Sequence, residues 1–236
     1  MPFVVKNNPT AVISAYRRTI LFLRMELSIT LILVIATALI SIGAFSNDKL
    51  YNDLIFYPPS INRGQWYRFI THGFIHANWM HLIFNMVGLY SFGVALEKAF
   101  FSSPVIFGET GKLIYILLYF TALIIASIPD YIKHRNNYYY RSLGASGAVS
   151  AVIFATILFN PTSTIGFFFI PMPGYVFAIL FLVISTVLAK RGQDNIGHSA
   201  HITGAIYGLL FTFIAVKLFT DYDILQAFVE RIKSRF

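Results

Sequence analysis

The chain has no cysteine. That excludes disulfides and thiolate metal sites, and it leaves the redox compartment unread. Charge is scarce as well. Only 12% of residues are Asp, Glu, Lys or Arg, where a soluble domain carries about 25%. Long runs have none at all, and 57% of the residues are hydrophobic. A soluble globule of this composition is excluded, and a multi-pass integral membrane protein is expected. The net charge of +8 is not gathered into a basic stripe, which argues against nucleic acid as a partner. It reads as loop charge near anionic lipid headgroups. There is no internal repeat and no acidic or basic residue in the middle of an apolar run. Both are features that a small transporter would be expected to show.

Apolar runs supply most of what is present. Residues 1–25 form a short basic tail with Lys6, Arg17, Arg18 and Arg24. The run from Glu26 to about Phe45 is too long for a signal-peptide core and is expected to be a retained span. A long connection follows to Ala77. It mixes Asp48, Lys49, Asp53, Pro58-Pro59 and Arg63 with many aromatic and aliphatic residues, so it is expected to lie in or against one leaflet. Further spans are expected over about Asn78–Leu96, Lys112–Ile128 and Ser142–Phe159, the last stopped by Asn160-Pro161. The remaining two run from Gly174 to Lys190-Arg191 and from Ser199 to Phe219. Residues 129–141 read as a charged, tyrosine-rich loop, and 220–236 as a polar tail. The expected fold is thus an all-α membrane protein, a six-transmembrane-helix bundle over residues 26–219 with a membrane-associated first loop.

Positive charge ahead of the first span favours a cytoplasmic N-terminus. Six spans then start helices two, four and six from the outer side. Ser146 opens the fourth within Gly144-Ala145-Ser146-Gly147, His201 opens the sixth within Ala200-His201-Ile202-Thr203-Gly204, and His81 and Asn85 lie early in the second. These polar residues therefore share one depth. In hydrocarbon they are costly unless they are paired or used. Gly147, Ala151 and Ala155 on helix four, and Ala200, Gly204 and Gly208 on helix six, recur at four-residue spacing. Small faces of this kind let two helices approach closely. Gly144 joins Gly147, Gly204 and Gly208 as a candidate packing residue.

Taken singly, each motif has a plainer reading. A serine between glycines is a common packing element. His76 suits an interfacial anchor as well as a site. His198, His72, His76 and His81 are nitrogen ligands near one face, but no carboxylate within the spans completes a zinc site. His134 reads as solvated, His72 has no assigned role, and Glu97 is either a helix-end charge or a tie to a neighbouring loop. Phe167-Phe168-Phe169, Phe177 and Phe181 read as lipid-facing or packing surface.

Taken in order, the motifs resemble those of the rhomboid intramembrane serine proteases. The resemblance runs through Trp66 and Arg68, His76, His81-Leu82-Ile83-Phe84-Asn85, Glu97, Gly144-Ala145-Ser146-Gly147, and Ala200-His201-Ile202-Thr203-Gly204 with Gly208. One departure is the Tyr67 inserted between Trp66 and Arg68. The resemblance implies Ser146 as nucleophile and His201 as general base. It implies an oxyanion site of His81, Asn85 and the Ser146 backbone N–H, with His76 behind it. It implies no metal or organic cofactor, and it implies transmembrane protein substrates that enter from the bilayer beside helix five. A bacterial inner membrane is the expected location. A catalytically inactive relative that binds membrane proteins is the competing expectation. Oligomeric state is not readable from the sequence.

Overall fold

Hydrocarbon offers no water to peptide groups, so a spanning segment has to satisfy its own N–H and C=O groups, and the apolar runs fold as helices. The computed structural model describes residues 28–167, 170–191 and 197–236; the basic tail at 1–25, Glu26, Phe168, Phe169 and Asp194 lie outside them. In chain order the helices are α1 (Ile29–Phe45), α2 (Asp48–Leu54), α3 (Pro58–Ile61), α4 (Arg68–Thr71), α5 (Trp79–Val94) and α6 (Gly111–His134). They continue with α7 (Ser146–Phe159), α8 (Gly174–Arg191), α9 (His198–Phe219) and α10 (Ile224–Lys233). The stretches Trp79–Phe101, Gly108–His134 and His198–Phe219 are long and apolar enough to cross a bilayer, while α1, α7 and α8 are shorter apolar helices. The architecture is an all-α membrane bundle, as expected.

α7 is its axis. Every residue from Gly147 to Phe159 is buried. At about 1.5 Å per residue its 14 residues reach only about 21 Å, against about 30 Å of hydrocarbon. Protein therefore surrounds it, and at least one of its ends stops inside the bundle. α9 packs on α7 more extensively than any other helix does. A Cβ at Gly204 would fall on the Gly147 carbonyl, and one at Gly208 on the Ala151 carbonyl. Only glycine permits this approach. Gly147 in turn faces Ala126 of α6, where a Cβ would come within 2.6 Å of the alanine methyl. α8 differs, with Ile179, Val183 and Val187 exposed along its length.

Glu97 settles between its two readings. It is 1% exposed and sits in a wide helical turn, Ala95–Phe101, that continues α5. Its carboxylate accepts from Ser28 Oγ (2.6 Å), the Ile29 and Thr30 backbone N–H groups (2.7 and 2.9 Å) and Thr30 Oγ1 (2.7 Å). The first turn of any helix has N–H groups without acceptors. Here a negative side chain from another helix supplies them at the positive end of the α1 dipole.

Several boundaries differ from expectation. α6 does not stop at Ile128; it runs through Pro129 to His134. A proline inside a membrane helix is tolerated where neighbouring groups compensate the lost bond. The stretch read as a charged loop is thus partly helix. Asp130 is buried in it, and His134, expected to be solvated, stacks on Tyr140 with ring centroids 3.8 Å apart. Two short strands pair antiparallel, β1 (Thr164–Phe167) with β2 (Ile170–Pro173). The polar tail contains α10, anchored on the bundle by buried Ile224. Part of the apolar content of the first loop packs within the protein: Phe56, Ile61 and Phe69 form a buried cluster with Ile124, Tyr131 and Tyr140, while Trp66 and Tyr67 are exposed.

Candidate active site

The connection from Tyr140 into α7 is held at nearly every residue, and the first loop does most of the holding. Arg68 organises that loop. It is 5% exposed, and its guanidinium donates to the carbonyls of Asn52 (2.8 Å) and Ile55 (2.7 Å) and to Gln65 Oε1 (2.6 Å). Trp66 beside it is exposed and stacks on Phe69. The loop so formed presents Phe56, which exchanges two backbone hydrogen bonds with Ser142 (3.0 and 3.1 Å). The Gly144 N–H donates to the His72 carbonyl at 2.9 Å. The Ala145 N–H points at His76 Nε2, 3.4 Å away.

Hydrogen counting assigns the His76 tautomer. Ser41 Oγ has one proton and donates it to the Phe74 carbonyl at 2.9 Å. Its 2.9 Å contact with His76 Nδ1 then requires the ring to donate. Nδ1 carries the proton, and Nε2 is left to accept from Ala145. Burial, with the neighbouring His81 and His72 rings adding to it, lowers the His76 pKa to about 3. Burial likewise lowers His72 to about 4. Both rings are therefore neutral at pH 7 and act as fixed hydrogen-bonding groups. His72, which had no assigned role, bonds Ser127 Oγ through Nε2 at 2.9 Å while its carbonyl holds Gly144.

Gly144 is not a helix-packing residue. It lies in the connection with φ +111°, a conformation that favours glycine. A Cβ there would stand 2.7 Å from His81 Cε1 and 2.8 Å from His81 Nε2. Its missing side chain makes room for the His81 ring next to the start of α7. His76 packs edge-to-face on that ring, with centroids 4.9 Å apart.

Ser146 is the first residue of α7, and no side chain caps that end. Its backbone N–H has no intrahelical acceptor. Ser146, His201, His81, Asn85 and Ser150 all line one cavity of about 800 Å³, with Gly144, His72, Asp130 and Phe181 also in its wall. Ser146 and His201 reach it from α7 and α9, whose contact at Gly147, Ala200 and Gly204 lies one residue from each. Asn85 stands one turn after His81 and donates one amide hydrogen to the His81 carbonyl at 2.9 Å; an amide carries two. The Phe181 ring centroid is 6.0 Å from that of His201. His76, at the end of the first loop, lies behind the wall and against the connection that precedes Ser146. His198 is buried, its ring edge-on to His201 at 5.7 Å. Among the described residues no three metal-ligating side chains come together.

The arrangement offers a hydroxyl at a helix N-terminus, an imidazole from the helix packed against it, and further donors from a third. Sequence reasoning overlooked Ser41, Ser127 and Asp130. Only Asp130 carried a signal, a lone acid just past the end of an apolar run.

A family model of the Rhomboid domain matches residues 63–218. Several curated proteins are similar over much of their length. RHOMBOID-like protein 12, mitochondrial, of Arabidopsis thaliana is 28% identical over 73% of this chain and 54% of that protein. Rhomboid protease GlpG of Haemophilus influenzae is 27% identical over 84% of this chain and 95% of its own length. Rhomboid protease AarA of Providencia stuartii is 24% identical over 88% and 78%. With the domain match covering well over half of it, this chain belongs to the rhomboid family.

Proposed function

We propose that this chain is an intramembrane serine endopeptidase that cleaves transmembrane segments of other membrane proteins with a Ser146–His201 dyad. The observation that carries the reading is the single cavity lined by Ser146, His201, His81 and Asn85. Rhomboid relatives named as proteases support it at the level of the family.

A serine hydroxyl is a weak nucleophile until a base takes its proton. Ser146 Oγ attacks the scissile carbonyl carbon as His201 accepts the proton. The carbonyl π electrons move to oxygen, and that oxyanion is met by the Ser146 N–H, the second amide hydrogen of Asn85 and a ring N–H of His81. Fixed donors count for more in a site walled by apolar side chains than they would in water. His201 then returns the proton to the leaving amine as the C–N bond breaks. Water adds to the acyl-serine by the same route and frees Ser146. His76 and His72 exchange no proton in this scheme; they fix the connection that aims Ser146.

Substrate segments enter beside α8, whose outward face is exposed and whose Phe181 borders the cavity. Bacterial relatives matched over most of their length support a bacterial inner membrane as the location. The test is cleavage of a reporter with one transmembrane segment, in detergent, by wild type and by Ser146→Ala. Wild type is expected to cut and the variant to fold without cutting. Equal cleavage by both would remove Ser146 from the mechanism. No cleavage of any reporter by wild type would favour an inactive, substrate-binding relative.

A further inference from the structure

One carboxylate in the wall of the same cavity has no part in the proposed dyad chemistry. Asp130 is 7% exposed and stands in α6 one residue after Pro129. A buried acid in a membrane bundle is expensive unless it is used. Asp130 Oδ1 accepts from Ser199 Oγ at 2.5 Å, and Oδ2 accepts from the Tyr140 hydroxyl at 2.8 Å. Ser199 belongs to the first turn of α9, two residues before His201. Tyr140 belongs to the connection, six residues before Ser146. One carboxylate therefore joins the two elements that carry the dyad to a third helix.

The other fastenings do not duplicate this tie. Phe56, His72 and His76 hold residues 142–145 to the first loop, and none of those bonds reaches α9. The Gly147–Gly204 contact sets the distance between α7 and α9, and the Tyr207 hydroxyl ties α9 to α6 by donating to Thr121 Oγ1 at 2.7 Å, but that bond lies about two turns beyond Ser199. Tyr140 is suited to permanent donation. Burial, and the carboxylate beside it, hold its phenol above the ordinary tyrosine range, and its ring is stacked on His134.

We propose that Asp130 is a positioning residue that fixes the start of the His201 helix against the connection leading to Ser146, acting through Ser199 and Tyr140 rather than on the imidazole. The proposal rests on the Ser146–His201 reading.

The test is the rate at which a fluorophosphonate probe labels the purified full chain, expressed per site by end-point titration so that unfolded protein is not counted. Misplacement of a reacting group by about 1 Å can cost about 10²-fold, so Asp130→Ala is expected to label about 10- to 100-fold more slowly per site. Ser199→Ala and Tyr140→Phe each remove one hydroxyl, and each is expected to slow labelling by about 3- to 10-fold, the coupling expected of shared partners. Asp130→Ala/Ser199→Ala should be no slower than Asp130→Ala alone. Asp130→Asn, which still accepts one bond, should recover part of the rate. The pH midpoint of labelling should stay where it is in wild type. A wild-type rate per site in Asp130→Ala would reduce the residue to a folding role. Independent, multiplying losses in the double variant would also overturn the proposal, as would a loss equal to that of His201→Ala with a shifted midpoint. If Asp130→Ala does not fold, the two hydroxyl variants decide, and wild-type rates in both would overturn it. Equal labelling of Ser146→Ala would refute the dyad itself, an outcome distinct from all of these.

Discussion

Two polar clusters interrupt this apolar bundle, and they are built on opposite plans. At one end of α5 Glu97 is sealed in, with four donors on its carboxylate. At the other end, sixteen residues earlier, His81 faces a cavity shared with Ser146, His201 and Asn85. The rise of a helix separates the two by about 24 Å. Glu97 spends its hydrogen-bonding capacity on closing the α1 N-terminus, which is a structural task. The His81 end keeps capacity in hand: Ser146 opens α7 with no side-chain cap, Asn85 donates one of its two amide hydrogens to the His81 carbonyl, and both residues line the cavity. A polar group buried in a membrane protein is a sign of function when its donors and acceptors point at a cavity, and of architecture when they point at protein.

Variants at the two ends should separate activity from stability. The largest expected effect is at the cavity: His201→Ala should lower reporter cleavage by at least about 10³-fold, since the base and nucleophile act as a unit. Next are the oxyanion donors. His81→Ala and Asn85→Ala should each lower turnover by up to about 10²-fold with little change in apparent affinity; steady-state kinetics would show it, and a change in affinity alone would count against the role. Glu97→Ala should do the reverse. It strands the Ser28, Ile29 and Thr30 groups and should cost about 3 kcal/mol of stability in denaturant unfolding, yet leave the labelling rate per folded site within about twofold of wild type. A tenfold fall in that rate would erase the contrast between the ends.

The expected effect furthest from activity is a pH dependence of stability. His72 and His76 have pKa values lowered by burial to about 4 and about 3. Between those values and the ordinary value of 6.5, the unfolded chain binds more protons than the folded one, so stability falls as pH drops through that window and is complete above it. The thermal midpoint should be lower at pH 5 than at pH 7. The gap should shrink in His76→Gln, and an unchanged gap would assign the dependence elsewhere.

The sequence exposed the apolar helices well, because length and lack of charge report directly on a bilayer. Asn160-Pro161 stops α7 and Gly174 starts α8, where backbone chemistry leaves few options. The four-residue spacing of Gly204 and Gly208 also pointed to a close helix pair. Gly144 was misread with them: spacing cannot tell a glycine on a helix face from one whose positive φ and missing Cβ serve a loop. The end of α6 was hidden for a related reason. Pro129 and the charges after it suggest a break, and only the tertiary partners Tyr140 and Ser199 reveal that Asp130 belongs inside. α10 was masked by the charge of its polar face. The pinning of residues 140–145 was beyond reach altogether, since most of it runs through backbone groups that carry no residue signature.

The central claim is that Ser146 is an activated nucleophile and His201 its base. Labelling the purified chain with a fluorophosphonate probe and mapping the adduct by peptide mass tests it most directly. The account predicts one adduct per chain, on Ser146, absent from Ser146→Ala and nearly absent from His201→Ala, while Glu97→Ala is labelled as wild type is. An adduct on another residue, or undiminished labelling of His201→Ala, would contradict it.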